Sequence, residues 1–182
     1  MLVGIIADDM TGLTAVASEF ERYGFSVGIA LSSDQVDSIS DSYDIIGVDT
    51  NSREKNAQNA AKAAEEAAEV LSKSKPVWLF KQGDSALHGN IASELSAVSL
   101  KLKAKYVIMA PACPSQNRIT IDGVHRIIAD DPHTHVSVVD LWSNDQKVAV
   151  VDSTKPAPDA LNCPLITVVD AECDASLDAA VR

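Results

Sequence analysis

Five short aliphatic runs, at residues 2–7, 26–31, 44–48, 77–80 and 106–110, alternate with polar stretches of helical periodicity. This alternation is the pattern of βαβ units, in which a strand reaches its parallel neighbour only by crossing through a helix. The runs are almost continuously apolar instead of alternating with polar residues, which predicts strands covered on both faces. The expected fold is therefore α/β, a three-layer α/β/α arrangement with a mainly parallel sheet.

Helices are predicted over residues 14–23, closed by Gly24, over 54–73, rich in Ala, Glu and Lys, and over 90–103. After residue 110, Pro111, Pro114 and Pro132 punctuate a long irregular stretch. Strands at 136–141, 147–151 and 165–169 and a helix over 175–181 follow. A length of 182 residues with 46% hydrophobic content fits one domain spanning 1–182.

The formal net charge of −11 excludes a nucleic acid as the main partner, because neutralising phosphates requires clustered Lys and Arg. A small anion is still admitted, since a few local cations dominate within about one Debye length, ~8 Å. Cys113, Cys163 and Cys173 are odd in number and widely spaced, which suggests reduced thiols in the cytoplasm and no disulfide framework. His125, His133 and His135 have no metal-ligand spacing with Cys113, so no metal site is expected. The start of the chain has neither the basic region of a signal peptide nor the length of a membrane anchor, and a soluble intracellular protein is expected.

In an open parallel sheet, ligands bind beyond the carboxyl ends of the strands. Four polar segments fall there. Asp8-Asp9-Met10-Thr11-Gly12 offers two carboxylates that can accept hydrogen bonds from a polyol or help hold a metal, unless one of them merely caps the following helix. Asp49-Thr50-Asn51-Ser52-Arg53 ends in a planar two-pronged donor suited to a carboxylate or phosphate. The densest segment, Lys81-Gln82-Gly83-Asp84-Ser85-Ala86-Leu87-His88-Gly89-Asn90, sets a cation, a carboxylate, hydroxyl and amide groups just before a helix start, where free N–H groups attract anions. The fourth runs from Pro111 to Arg118.

Together these segments, with Asp122-Gly123 and His125, resemble the four-carbon acid sugar kinase family in order and spacing over roughly the first 130 residues. The resemblance implies an N-terminal domain that binds a threonate, an erythronate or a 3-oxo relative. A separate C-terminal domain would bind ATP and Mg²⁺ and pass phosphate to the terminal hydroxyl. Carried onto this chain, Asp8, Asp9, Thr11, Gly12, Arg53, Lys81, Asp84, Ser85 and His88 are the implied sugar-acid site. Arg53 or Lys81 would face the substrate carboxylate, while Asp8, Asp9 and Asp84 hold its hydroxyls. Gly89, Asn90 and Arg118 are the implied supporting wall. The general base is unassigned, with an Asp preferred to His88.

The chain departs from the family pattern at Ala15, where an Asp is common, at Ala86 and His88, where Thr and Arg are usual, and at Asn117, where a Gly often stands. These changes imply either a different substrate or loss of activity. No Gly-rich phosphate loop is present, and the nucleotide-binding half is absent from these residues. The expectation is an isolated domain or a natural half-protein, inactive alone, with no cofactor of its own and its partners a sugar acid and the missing domain. Homo-oligomerisation is left open.

Three other readings compete. A receiver-like signalling domain would want Lys-Pro after the fifth strand, where this chain has Ala110-Pro111. A phosphatase of the Asp-x-Asp type fails at Met10. A non-catalytic sugar-acid-binding or interaction module is the alternative of a different class.

Overall fold

The computed structural model describes residues 1–128, 134–142, 147–152 and 166–180. Pro132, His133, Cys163 and Leu165 lie outside the described residues, as does the end of the last expected helix. The described chain divides into two compact units, Met1–Asp84 with His88–Lys103, and Ser85–Leu87 with Ala104–Arg182.

In the first unit, β1 (Val3–Ala7), β2 (Val27–Ala30), β3 (Ile45–Asp49) and β4 (Trp78–Gln82) form a wholly parallel sheet in the order β2-β3-β1-β4. Alternation along the strands sends neighbouring side chains to opposite faces. Ile5, Ala7 and Ile45 pack with Leu13 of α1 (Met10–Arg22). Ile6, Ile46 and Val48 pack on the other face with Ala64, Ala67, Ala68 and Leu71 of α3 (Ala57–Lys73) and Val98 of α4 (Ile91–Lys101). The small alanine side chains let α3 lie close to the sheet, so this unit has the expected helix, sheet and helix layers. A short α2 (Val36–Ile39) links β2 to β3.

The helices begin where side chains cap them. Asp9 accepts a hydrogen bond from the Gly12 N–H at 2.9 Å, so α1 starts four residues before the sequence expectation. Asn56 accepts from the Asn59 N–H at 2.9 Å, which starts α3 at Ala57 instead of residue 54. The expectation of strands covered on both faces is corrected at β4. It is an edge strand whose Trp78 and Phe80 are 67% and 45% exposed.

In the second unit, β5 (Val107–Met109), β9 (Val148–Asp152) and β10 (Ile166–Asp170) form a parallel sheet in the order β5-β10-β9. An antiparallel sheet of β6 (Arg118–Ile121), β7 (Val124–Ile127) and β8 (His135–Ser137) joins it through a bridge between Thr120 and Ala171. The stretch after Ala110 is therefore less irregular than the prolines suggest. The expected strand at 136–141 is also corrected: after Ser137, Val138 takes helical dihedrals and a 3₁₀ turn, Val139–Leu141, follows. The closing helix is α5 (Asp174–Ala180).

Candidate functional site

Parallel strands of similar length end side by side, so the segments leaving β1, β3 and β4 begin close together. Ser52 and Arg53 both direct their backbone N–H groups at the Asp8 carbonyl, at 2.9 and 3.3 Å. That holds the Arg53 side chain over the end of β1. Its Nε and Nη2 donate to the two oxygens of Asp8 at 2.8 and 2.9 Å. Its Nη1 and Nη2 donate to the two oxygens of Asp9 at 2.9 and 3.0 Å. Asp84 approaches the same guanidinium at 3.8 Å.

Asp8 is 1% exposed, and burying a carboxylate is costly unless it is paired and hydrogen-bonded. The fork from Arg53 supplies both. The hydrogen bond to Asp8, followed by the charges of Asp8, Asp9 and Asp84, raises the Arg53 pKa above its ordinary value against the opposing effect of burial. Asp9 has two tasks, since it also caps α1 through the Gly12 N–H. Thr11 lies exposed on that first turn.

The segment from Asp84 to Asn90 closes on itself. Asp84 accepts from the His88 N–H at 3.2 Å and from the His88 Nδ1 at 2.8 Å. A carboxylate partner at Nδ1 requires a proton there, which leaves Nε2 of neutral His88 as the acceptor. Gly89 has φ +89°, and a β-carbon on it would stand 3.3 Å from Arg53 Cγ and 3.4 Å from Asp8 Oδ2. Only glycine combines that conformation with so close a pass over the cluster. The Asn90 side-chain amide lies 2.8 to 3.3 Å from the carbonyls of Ser52, Arg53 and Lys55. It is spent on that loop and does not cap the first turn of α4.

Lys81 is linked to the Arg53 loop through a buried acid. Its ammonium lies 2.7 Å from Glu94 and donates to the Gln82 carbonyl at 2.6 Å. Glu94, 1% exposed, also accepts from the Ser52 hydroxyl at 2.5 Å, and Ser52 lies 2.7 Å from the Thr50 hydroxyl. Glu94 was not singled out from the sequence, where an acid within a helix looks like a solvated surface residue, and Ser52 entered only as part of the segment that ends at Arg53. Asp8, Asp9, Thr11, Gly12, Arg53, Lys81, Asp84, His88, Gly89 and Asn90 thus belong to the first unit.

Ser85 and Arg118 belong to the second unit. The Ser85 carbonyl lies 2.9 Å from Nε2 of His125, whose Nδ1 is 3.2 Å from the Thr120 hydroxyl. Arg118 donates through Nη1 to the Gln116 carbonyl. Among the described residues, no group of three or more His, Cys, Asp and Glu is arranged to hold a metal ion, and no helix is long and apolar enough to cross a membrane.

Residues 3–153 match the family described as the sugar-binding N-terminal domain. A D-erythronate kinase of Heliobacterium modesticaldum is 32% identical over 146 residues, covering 74% of this chain and 33% of the kinase. A D-threonate kinase of Salmonella typhimurium is 31% identical over 120 residues, covering 65% of this chain and 28% of that protein. A Bordetella bronchiseptica domain of unknown function, crystallised with citrate as a domain-swapped dimer, superimposes with a TM-score of 0.82 at 25% identity. That match covers 98% of this chain and 49% of the Bordetella chain. The chain spans about a third of each of these two kinases and about half of the solved protein.

Proposed function

Because the chain belongs to the family of sugar-binding N-terminal domains, we propose that the strand-end cluster around Arg53 binds a four-carbon sugar acid. The chain would be the substrate-recognising part of an ATP-dependent kinase that phosphorylates the terminal hydroxyl. Threonate, erythronate and 3-oxo-tetronate are the substrate class, by analogy with the relatives' names. The single observation that carries this reading is the Arg53 fork over Asp8 and Asp9, with Asp84 beside it.

The proposed roles divide by exposure and by hydrogen-bond partners. Asp8 is too deeply buried to reach a ligand and serves as the anchor of Arg53. Asp9 and Asp84, whose side chains are 26% and 21% exposed, are the acceptors for substrate hydroxyls. Four of the five N–H donors of Arg53 go to Asp8 and Asp9. The ligand carboxylate is then met by the remaining donor and by the first-turn amides of α4, which the Asn90 side chain leaves uncapped. Lys81 acts at one remove, as the counter-ion of Glu94.

ATP and Mg²⁺ are not fitted by the residues described: no cluster of metal-ligating side chains and no Gly-rich phosphate loop is among them. Nucleotide binding is assigned to a part of the longer relatives that this chain does not span. The proposed setting is the cytoplasm, and self-association is an expectation suggested by the domain-swapped Bordetella dimer.

Calorimetric titration with D-threonate, D-erythronate and ATP, each alone, tests the reading. A sugar acid should bind and ATP should not, and Arg53→Lys, which cannot form the fork, should lose at least about tenfold in affinity, or ~1.4 kcal/mol. ATP binding without any sugar-acid response would overturn it.

A further inference from the structure

We infer that Glu94, on the first turn of α4, is a positioning residue that sets Arg53 through Ser52. The inference rests on the reading of the Arg53 cluster as the ligand site, but its main readout needs no ligand. Asn90 and Glu94 are four residues apart and so project from the same face of the helix start. Asn90 gathers the carbonyls of Ser52, Arg53 and Lys55, while Glu94 takes the Ser52 hydroxyl at 2.5 Å.

The loop is thereby held from two directions. Backbone N–H groups of Ser52 and Arg53 bind the Asp8 carbonyl, and the Ser52 side chain is drawn the other way, into the interior. Ser52 is fully buried, so its hydroxyl cannot exchange Glu94 for water. Arg53 follows directly in the chain, and a fork of four hydrogen bonds tolerates little displacement of its backbone.

The competing reading is that Glu94 and Lys81 are only a buried ion pair within the core. Such a pair can often be replaced by apolar side chains of similar volume without loss of stability. Either reading accounts for the Ser52 hydrogen bond, so the two are separated by whether its loss, with the charge pair already removed, loosens Arg53.

The test compares two double variants that both lack the charge pair, Lys81→Met with Glu94→Gln and Lys81→Met with Glu94→Leu. Gln retains a partner for Ser52 on α4, whereas Leu leaves its hydroxyl only that of Thr50. Both are expected to melt within a few degrees of each other. In ¹⁵N-resolved spectra the slowly exchanging Nε–H signal of Arg53 should persist with Gln and be lost, or exchange at least tenfold faster, with Leu. Sugar-acid affinity, measured on the same proteins, should fall at least tenfold with Leu relative to Gln. An Arg53 signal equally protected in both would overturn the inference. If the Leu variant does not fold, Ser52→Ala decides, since it keeps the Lys81–Glu94 pair and should still expose the Arg53 Nε–H. An unchanged signal there would equally overturn the inference. If the wild-type protein binds no sugar acid, the proposed function fails while the Arg53 signal still reports on Glu94.

Discussion

His125 is 1% exposed and faces a carbonyl on one side, so its protonation state is dictated by its partners. The Ser85 carbonyl can only accept, which places the proton on Nε2 and leaves Nδ1 to accept from the Thr120 hydroxyl. A second proton on Nδ1 would cost that bond in a site closed to water. Burial pulls the pKa below its ordinary value, the Ser85 carbonyl opposes the shift, and the nearby Arg118 adds to it. In the unfolded chain His125 takes its proton near pH ~6.5, whereas the folded protein resists until the pH is lower. The stability contributed by neutral His125 is therefore complete above about pH 6.5 and declines as the pH falls through that value toward the folded pKa. Urea midpoints should drop between pH 7.5 and 5.5, and His125→Gln, which keeps a donor for Ser85 but does not titrate, should flatten that drop. Equal slopes in the two proteins would show that other groups carry the acid sensitivity.

Elements were legible where one physical signal governed them. The parallel strands β1 to β4 announced themselves through apolar runs, and their ends located Asp8, Asp9, Arg53 and Asp84, because polar residues at strand termini are visible in a one-dimensional string. Glu94 was hidden, since burial of an acid depends on its partners, here Lys81 and, 42 residues earlier, Ser52. The β6–β7 hairpin was present in the sequence as Asp122-Gly123 between two alternating runs, a two-residue turn signal, but the surrounding prolines overshadowed it. Both turn residues take positive φ, +53° and +71°. A β-carbon on Gly123 would also meet Val150 Cγ2 at 2.7 Å. Gly123→Ala should thus destabilise the second unit by about 1 kcal/mol or more. In a thermal melt the corresponding loss for a unit of this size is about 4–8 °C, whereas an unchanged Tm would show that the turn relaxes freely.

For the whole molecule, charge opposes the proposed ligand. The chain carries −11, and the cluster itself sets the carboxylates of Asp8, Asp9 and Asp84 against the one guanidinium of Arg53. An anionic sugar acid approaching such a surface is repelled at long range and gains only from short contacts at Arg53 and the start of α4. Salt screens the long-range part over about 10 Å at 0.1 M, while hydrogen bonds at a partly buried guanidinium are screened much less. Raising the ionic strength should therefore strengthen threonate or erythronate binding, the reverse of a site that draws anions through a basic field. Titrations at 20 and 300 mM NaCl would read this as a lower Kd at the higher concentration. A Kd that instead rises with salt would mean that cations outside the Arg53 cluster dominate capture, and that the ligand lies elsewhere on the chain.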